Sequence, residues 1–195
     1  MKIYDITRTL QEAPIYPGSA PAVVRRIYDV GRGDDYSISM VTADSHMGTH
    51  ADAFSHYLAG GASIDSMPLQ NYCGKCRVLS VPSDSLVRLQ DVRGFLGTSD
   101  RLVLHGGGNT FLSEEAAEYL VTREIKLLVT DAWSVGPLDN ELSIHRILMR
   151  GGVAIVENVV LDAVADGDYL LFAFPMKVGG ADGAPVRAVL LGPGK

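Results

Sequence analysis

Apolar and polar positions intermingle over Ile3 to Thr7 and Ala22 to Val30, and both runs are rich in β-branched side chains, so both read as strands. The stretch between them, Ala13-Pro-Ile-Tyr-Pro-Gly-Ser-Ala-Pro21, carries the prolines and glycine of an ordered loop. Tyr36 to Thr42 alternates and leads into a histidine-rich segment. Beyond it, Arg77 to Val81 and Arg101 to His105 are short β-rich runs. The period then changes: Ser113 to Thr122 has a helical pattern, opened by Ser113 as N-cap with Glu114 and Glu115 in the first turn. Lys126 to Asp131 reads as a buried strand, Ser143 to Arg150 as a helix stopped by Gly151-Gly152, and Val153 to Glu157 as the next strand. Leu170 to Phe174 and Pro185 to Leu191 are the last two expected strands.

Strand, helix and strand alternate in the second half, which predicts an α/β architecture, and the closely spaced early strands add an antiparallel or mixed portion to the sheet. With 195 residues, 47% of them hydrophobic and 21% charged, the chain can bury a substantial core, and one domain over residues 1–195 is expected. The net charge of -6 argues against the clustered cationic surface on which nucleic-acid binding rests, and points to a small-molecule substrate. The N-terminal Met-Lys-Ile-Tyr-Asp-Ile-Thr-Arg lacks the apolar run of a signal peptide, and no segment has the length of a membrane span. No membrane association and a cytoplasmic location are therefore expected. Cys73-Gly-Lys-Cys76 has the spacing of a redox pair, but Cys76 runs into a strand-like segment instead of a helix N-terminus, and no second pair completes a zinc site. Reduced structural cysteines are the favoured reading, with redox chemistry as a rival.

The chemistry concentrates between positions 46 and 56. His46, His50 and His56, with Asp52, occupy one short segment of a chain that has 5 histidines. Imidazole and carboxylate suit zinc or a similar divalent ion, whose ligands must converge to about 2.0–2.2 Å. A straight helix would set His46 and His50 about 40° apart but carry Asp52 and His56 far round the cylinder. A straight strand would put all four on one face, yet separate its ends by about 33 Å. The segment must therefore bend, and Gly48-Thr49 is the natural place. Lone histidines are more often satisfied core or solvent residues than ligands. Several such groups clustered without a cation would carry a large desolvation cost, which favours ligands.

His145 and Glu157 are further candidate donors. A helix from Ser143 rises about 9 Å, and after the Gly-Gly reversal a strand returns about 16 Å, so both side chains can finish at one end of the layer, where α/β proteins place their sites. On spacing alone, a helix-start histidine and an exposed glutamate explain them equally well. Tyr16 and Phe54 are candidate substrate-wall residues. Asp131 either orients a ligand or caps a turn, and His105 reads as structural.

The run His46-x-Gly-Thr-His50-x-Asp52-x-x-x-His56 resembles the signature of the cyclase family of metal-dependent hydrolases, the family of kynurenine formamidase-like and isatin hydrolase-like enzymes. Tyr16-Pro-Gly, Gly60-Gly-x-Ser-Ile-Asp65, His145-Arg-Ile-Leu with Ile155-Val-Glu157-Asn158, and Gly179-Gly-x-Asp-Gly-x-Pro-Val-Arg187 follow in the family's order. The resemblance implies a compact, swivelling β/β/α-like domain that hydrolyses an amide, lactam or ester bond. It implies one or two divalent ions, Zn2+ before Mn2+: His46, His50 and Asp52 would hold one, Asp52 would bridge to a second held by His145, and Glu157 would reach one or both. His56 would be the acid/base, and the chain would form a homo-oligomer, a dimer or tetramer. Phe54 stands where the family usually has proline, Tyr16 where formamidases tend to have tryptophan, and Gly106-Gly-Gly-Asn-Thr110 where relatives often carry a longer insertion. These departures bear on the substrate more than on the metal chemistry. A metal- or ligand-binding module without turnover is the rival from another class.

Overall fold

The computed structural model describes residues 1–94 and 97–193. Thirteen strands and three helices are assigned among them: β1 (Lys2–Asp5), β2 (Val23–Tyr28), β3 (Ile38–Thr42), β4 (His50–Asp52), β5 (Cys73–Ser80), β6 (Leu86–Val87), α1 (Leu89–Val92), β7 (Arg101–His105), β8 (Phe111–Leu112), α2 (Glu114–Thr122), β9 (Leu127–Thr130), α3 (Glu141–Arg150), β10 (Ala154–Glu157), β11 (Gly167–Phe172), β12 (Gly183–Pro185) and β13 (Val189–Gly192). Nine of the strands form one sheet in the order β1-β13-β11-β5-β7-β9-β10-β4-β12. Its centre, β5-β7-β9-β10, is parallel, and antiparallel strands extend it on both sides.

The central strands read as nearly continuous apolar runs because both of their faces are buried. Leu102, Leu104, Leu128 and Ile155 pack beneath α2 and α3, together with Leu120, Ile144 and Leu148 from the helices. Val103, Val129 and Val156 point the other way, into a second core with Tyr72, Leu171, Ala184 and Leu190. That second core is enclosed because the sheet curls. β12 and β13 lie near opposite ends of the strand order, joined only by Val186, Arg187 and Ala188. Laid flat, the strands between them would span about 34 Å, whereas the link reaches about 15 Å at most. Ile6 N–H donating to the Ala188 carbonyl and Val186 N–H donating to the Thr49 carbonyl stitch the closure.

Ser113 caps α2 by accepting from the Ala116 N–H at 3.2 Å, as its position predicts. Two expectations are corrected. Pro185 to Leu191 is not one strand: its apolar alternation continues through buried Val186 and Ala188 while the backbone changes partners, which side-chain patterning does not report. The second helix begins at Glu141 instead of Ser143, so His145 lies in its second turn and not at its start. The strand expected over Tyr36 to Thr42 is present as β3, which pairs with β2 in a two-stranded ribbon outside the main sheet whose side chains are all exposed. Cys73 and Cys76 sit three positions apart on β5, hence on opposite faces, and burial drives the Cys76 thiol up to about 12. They are not a redox pair.

Candidate active site

The segment from His46 to His56 bends twice. Gly48 adopts φ +71, and a Cβ there would stand 2.9 Å from the Leu10 side chain, so the first bend needs glycine. Thr49 fastens the turn by donating its hydroxyl to the Asn158 carbonyl at 2.7 Å and accepting from Arg8 N–H at 2.8 Å. The chain then enters β4, whose parity sends His50 and Asp52 to the helix-bearing side and Ala51 into the enclosed core. A 3₁₀ turn over Phe54–His56 doubles the chain back. His56 thereby stacks on His46, their ring centroids 4.0 Å apart. Glu157, at the end of β10, lies directly across from His50 in the ladder, and α3 lowers His145 onto the same spot.

Four buried groups alternate in a closed ring. His50 Nε2 is 3.5 Å from Asp52 Oδ1 and 3.3 Å from Glu157 Oε2, while His145 Nε2 is 3.4 Å from Asp52 Oδ2 and 3.3 Å from Glu157 Oε1. These separations exceed the roughly 2.7–2.9 Å of a tight charge-assisted hydrogen bond. They match the edge of a tetrahedron with metal–ligand bonds near 2.05 Å, about 3.3 Å. Both imidazoles are pre-oriented: Nδ1–H of His50 donates to the Gly48 carbonyl at 3.0 Å and that of His145 to the Glu141 carbonyl at 2.8 Å, leaving each Nε2 facing inward. Asp52 Oδ2 is buried without a hydrogen-bond partner. His50, Asp52 and Glu157 form one group with donor atoms within 4.8 Å of one another, and His46, Asp52 and His56 form a second. Asp52 belongs to both, and the donor set fits a divalent ion.

The electrostatics point the same way. Burial opposes charge on His46, but the hydrogen bond and charge of Asp52, then those of Asp182, push its imidazolium up to about 9. His50 and His145 are likewise raised against burial, by Glu157 and Asp52. Asp52 is held well below the carboxylate range despite burial, chiefly by the adjoining imidazoles of His145 and His46, and then of His50. Glu157 is lowered too, by His145 and His50, against burial and the charge of Asp52. Without an ion the ring is thus balanced by protons on its histidines, which a dication replaces. His56 differs. Burial lowers its pKa and leaves it neutral near pH 7.

These residues open onto a cavity of about 600 Å³ whose walls include Tyr16, Tyr57, Trp133 and Leu138, with Asp44 and Asp182 also lining it. Tyr16 stands where the sequence places it, its hydroxyl donating to Glu141 at 2.7 Å and its pKa pushed up to about 12 by that bond. Phe54 does not line the cavity. It packs against both cores, and its neighbour Tyr57 faces the site instead, its ring 4.5 Å from that of His145. Asp131 caps a turn, accepting from Gly106 and Gly107 N–H, while His105 lies 4.0 Å from it and off the cavity.

Sequence reasoning assigned no role to Asp182, Glu141, Tyr57 or Trp133. Asp182 is 3.2 Å from His46 Nε2 and 3.4 Å from His56 Nδ1. The Gly-Gly-x-Asp-Gly motif around it was the available signal. Gly183 follows because a Cβ there would lie 2.7 Å from the His46 ring.

The fold and the convergent histidines and carboxylates define a class, and the chain matches the putative cyclase family over residues 4–137. It belongs to that family. Among individual relatives, it is 35% identical over 202 residues to a kynurenine formamidase of Delftia acidovorans, with 97% of each chain covered. A predicted metal-dependent hydrolase from Bacillus stearothermophilus superposes with a TM-score of 0.83 at 26% identity, covering 97% of both chains. An isatin hydrolase bound to thioisatinate shares the fold, with a TM-score of 0.85 at 18% identity over 99% of this chain and 93% of that one.

Proposed function

We propose that this chain is a metal-dependent hydrolase of a carbon–nitrogen bond in a small aromatic amide, of the arylformamidase type. The observation that carries the reading is the buried convergence of His50, Asp52, His145 and Glu157, with His46 beside Asp52, at the base of an aromatic-walled cavity. The kinship to a formamidase supports the bond type.

His46, His50 and Asp52 would hold one ion, and Asp52, His145 and Glu157 a second, with zinc ahead of manganese for this imidazole and carboxylate set. A bound divalent ion supplies Lewis acidity, polarising the carbonyl and making water nucleophilic near neutral pH. The chain's own residues do the rest. His56, neutral and half-buried, takes a proton from the attacking water and returns it to the departing nitrogen. Asp182 beside Nδ1 fixes the ring and stabilises its protonated form. Tyr57 and Trp133 hold the aromatic portion and exclude water.

We further read the chain as a cytoplasmic homo-oligomer, a dimer or tetramer. Its free cysteines fit a reducing compartment, and no helix among the described residues is long and apolar enough to cross a membrane. The β2–β3 ribbon leaves both faces exposed, with Val24 and Val41 on one and Met40, Ile38 and Tyr28 on the other, apolar side chains available to a second copy. Zinc- or manganese-reconstituted protein is expected to release formate from formanilide, with loss of turnover on chelation. A pure binding module would leave formanilide, isatin and simple lactams and lactones untouched with either metal, and that result overturns the reading.

A further inference from the structure

The segment Gly60-Gly-x-Ser-Ile-Asp65 supplies no member of the donor ring and does not line the cavity, yet it holds the supports of both His56 and Asp182. On one side it carries the 3₁₀ turn that presents His56. The Ala62 carbonyl accepts from Ser55 N–H at 3.0 Å, and Gly61 lies so close beneath the turn that a Cβ would stand 2.5 Å from the Phe54 carbonyl carbon. On the other side it grips the loop that leads to Asp182. Ile64 N–H donates to the Ala181 carbonyl at 2.9 Å, and Asp65 Oδ1 accepts from Gly180 N–H at 3.0 Å. The Ser63 hydroxyl donates to the same oxygen at 2.7 Å and sets the direction of the carboxylate. Gly180 N–H, and then the Ser63 hydroxyl, hold the Asp65 carboxyl below its ordinary value. Ile64, buried in the enclosed core, anchors the whole segment.

The gripped loop needs such a hold. Gly179 and Gly180 are adjacent, Gly180 sits at φ +73, and a glycine pair has more backbone freedom to lose than other dipeptides. Two residues further on, Asp182 places Oδ2 at 3.2 Å from His46 Nε2 and 3.4 Å from His56 Nδ1. The Ser45 hydroxyl and Ala53 N–H, each donating at 2.9 Å, fasten Asp182 itself. Asp65 removes the freedom of the approach to it.

We propose that Asp65 is a positioning residue: by clasping Gly180 from the segment that also supports the His56 turn, it sets Asp182 against His56 Nδ1 and holds the ring as the Nδ1–H tautomer, with Nε2 free for proton transfer. The link to catalysis rests on the hydrolase reading, whereas the clasp itself does not. A misplacement of about 1 Å in such a pair can cost about a hundredfold in rate, so an indirect contact outside the cavity can matter to turnover.

Two measurements separate the clasp from the activity. Long-range proton–nitrogen correlation spectra of zinc-loaded, isotope-labelled protein near neutral pH report the tautomer of His56, assigned by its loss in His56→Ala. The wild-type ring should be the Nδ1–H form. Asp65→Ala should move its resonances most of the way to their positions in Asp182→Ala, and Asp65→Asn, whose amide oxygen still accepts from Gly180 and Ser63, should restore them. In the second measurement, kcat on formanilide should fall about tenfold in Asp65→Ala at unchanged zinc content, with KM within about twofold, and recover in Asp65→Asn. Added to Asp182→Ala, the same substitution should cost nothing more, because it acts through Asp182. His56 resonances unmoved by Asp65→Ala, no recovery in Asp65→Asn, or an equal loss of kcat in the absence of Asp182 overturns the proposal. The expected spectra from a protein that hydrolyses no formanilide would keep the clasp and refute the hydrolase reading instead.

Discussion

Asp52→Asn is the sharpest perturbation of the donor ring, because it conserves volume while removing the one charge common to both three-donor groups. Asp52 is 2% exposed and within 3.5 Å of the inward nitrogens of His46, His50 and His145. An ion bound only by the folded state, present at a thousandfold excess over its Kd, stabilises that state by about 4 kcal/mol. For a chain of 195 residues the unfolding entropy is about 0.4 kcal/mol/K, so the wild-type protein should melt about 10 °C higher with zinc than with chelator. Loss of a shared carboxylate ligand should weaken binding at least about a hundredfold, which leaves about 1.4 kcal/mol at the same zinc concentration, or about 3 °C. Differential scanning calorimetry with and without zinc, paired with elemental analysis, reads both quantities. A full wild-type shift in the Asp52→Asn protein would refute the assignment of this ring as the metal site.

The remaining predictions address neighbouring residues. His56→Ala should retain its metal by elemental analysis and lose about 10²–10⁴-fold in kcat on formanilide; loss of the metal instead would make His56 a ligand. Gly183→Ala drives a methyl into the His46 ring, so metal affinity should fall by more than the melting temperature of the chelated protein suggests, as calorimetric zinc titration would show. Because His46 is raised to about 9 and His50 and His145 are raised too, zinc uptake near pH 7 should release protons and weaken as pH falls, measurable in buffers of differing ionisation enthalpy. By the same sign, the metal-free protein keeps the full contribution of its charged histidines below about pH 6.5 and loses it as pH rises toward 9. Its melting temperature should fall across that window, while the zinc-loaded protein's should not.

Much of the parallel centre was legible in the chain because its strands are buried on both faces and its helix α2 is properly capped. Arg101 to His105 is matched end to end, and Lys126 to Asp131 and Val153 to Glu157 to within a residue or two. The need for a bend near Gly48 followed from ligand convergence alone, and the positive φ of Gly48 supplies it. What patterning could not show was partner choice. β4 has only three residues, too few for a period, and is made a strand by β10 and β12 on either side. The strands β2 and β3 are as rich in β-branched and aromatic residues as core strands, yet their ribbon buries neither face within this chain. Phe54 read as a wall residue because it lies inside the histidine motif. The 3₁₀ turn points it into the cores and presents Tyr57, the residue after His56, in its place.

The curl of the sheet and the assembly of the site are one event, and this explains why Asp182 escaped notice. His46 and Asp182 are 136 positions apart, and nothing local to either predicts their meeting. They meet because β12 pairs with β4 in a register that sets Gly183 opposite Asp52 and, two residues on, Pro185 opposite His50. The side chain of Asp182, just before the strand, is thereby delivered to the rings of His46 and His56. That pairing is possible only if the short Val186–Ala188 link closes the sheet upon itself. The absence of a side chain at Gly183 is what lets His46 lie against the new strand. Half of the ring, His50 and Asp52, is fixed by the parity of β4, and the other half by α3 and β10. The pairing of His56 with Asp182, to which we assign proton handling, depends on closure. A lesion in the link should therefore disturb acid/base catalysis before it disturbs the buried ligands.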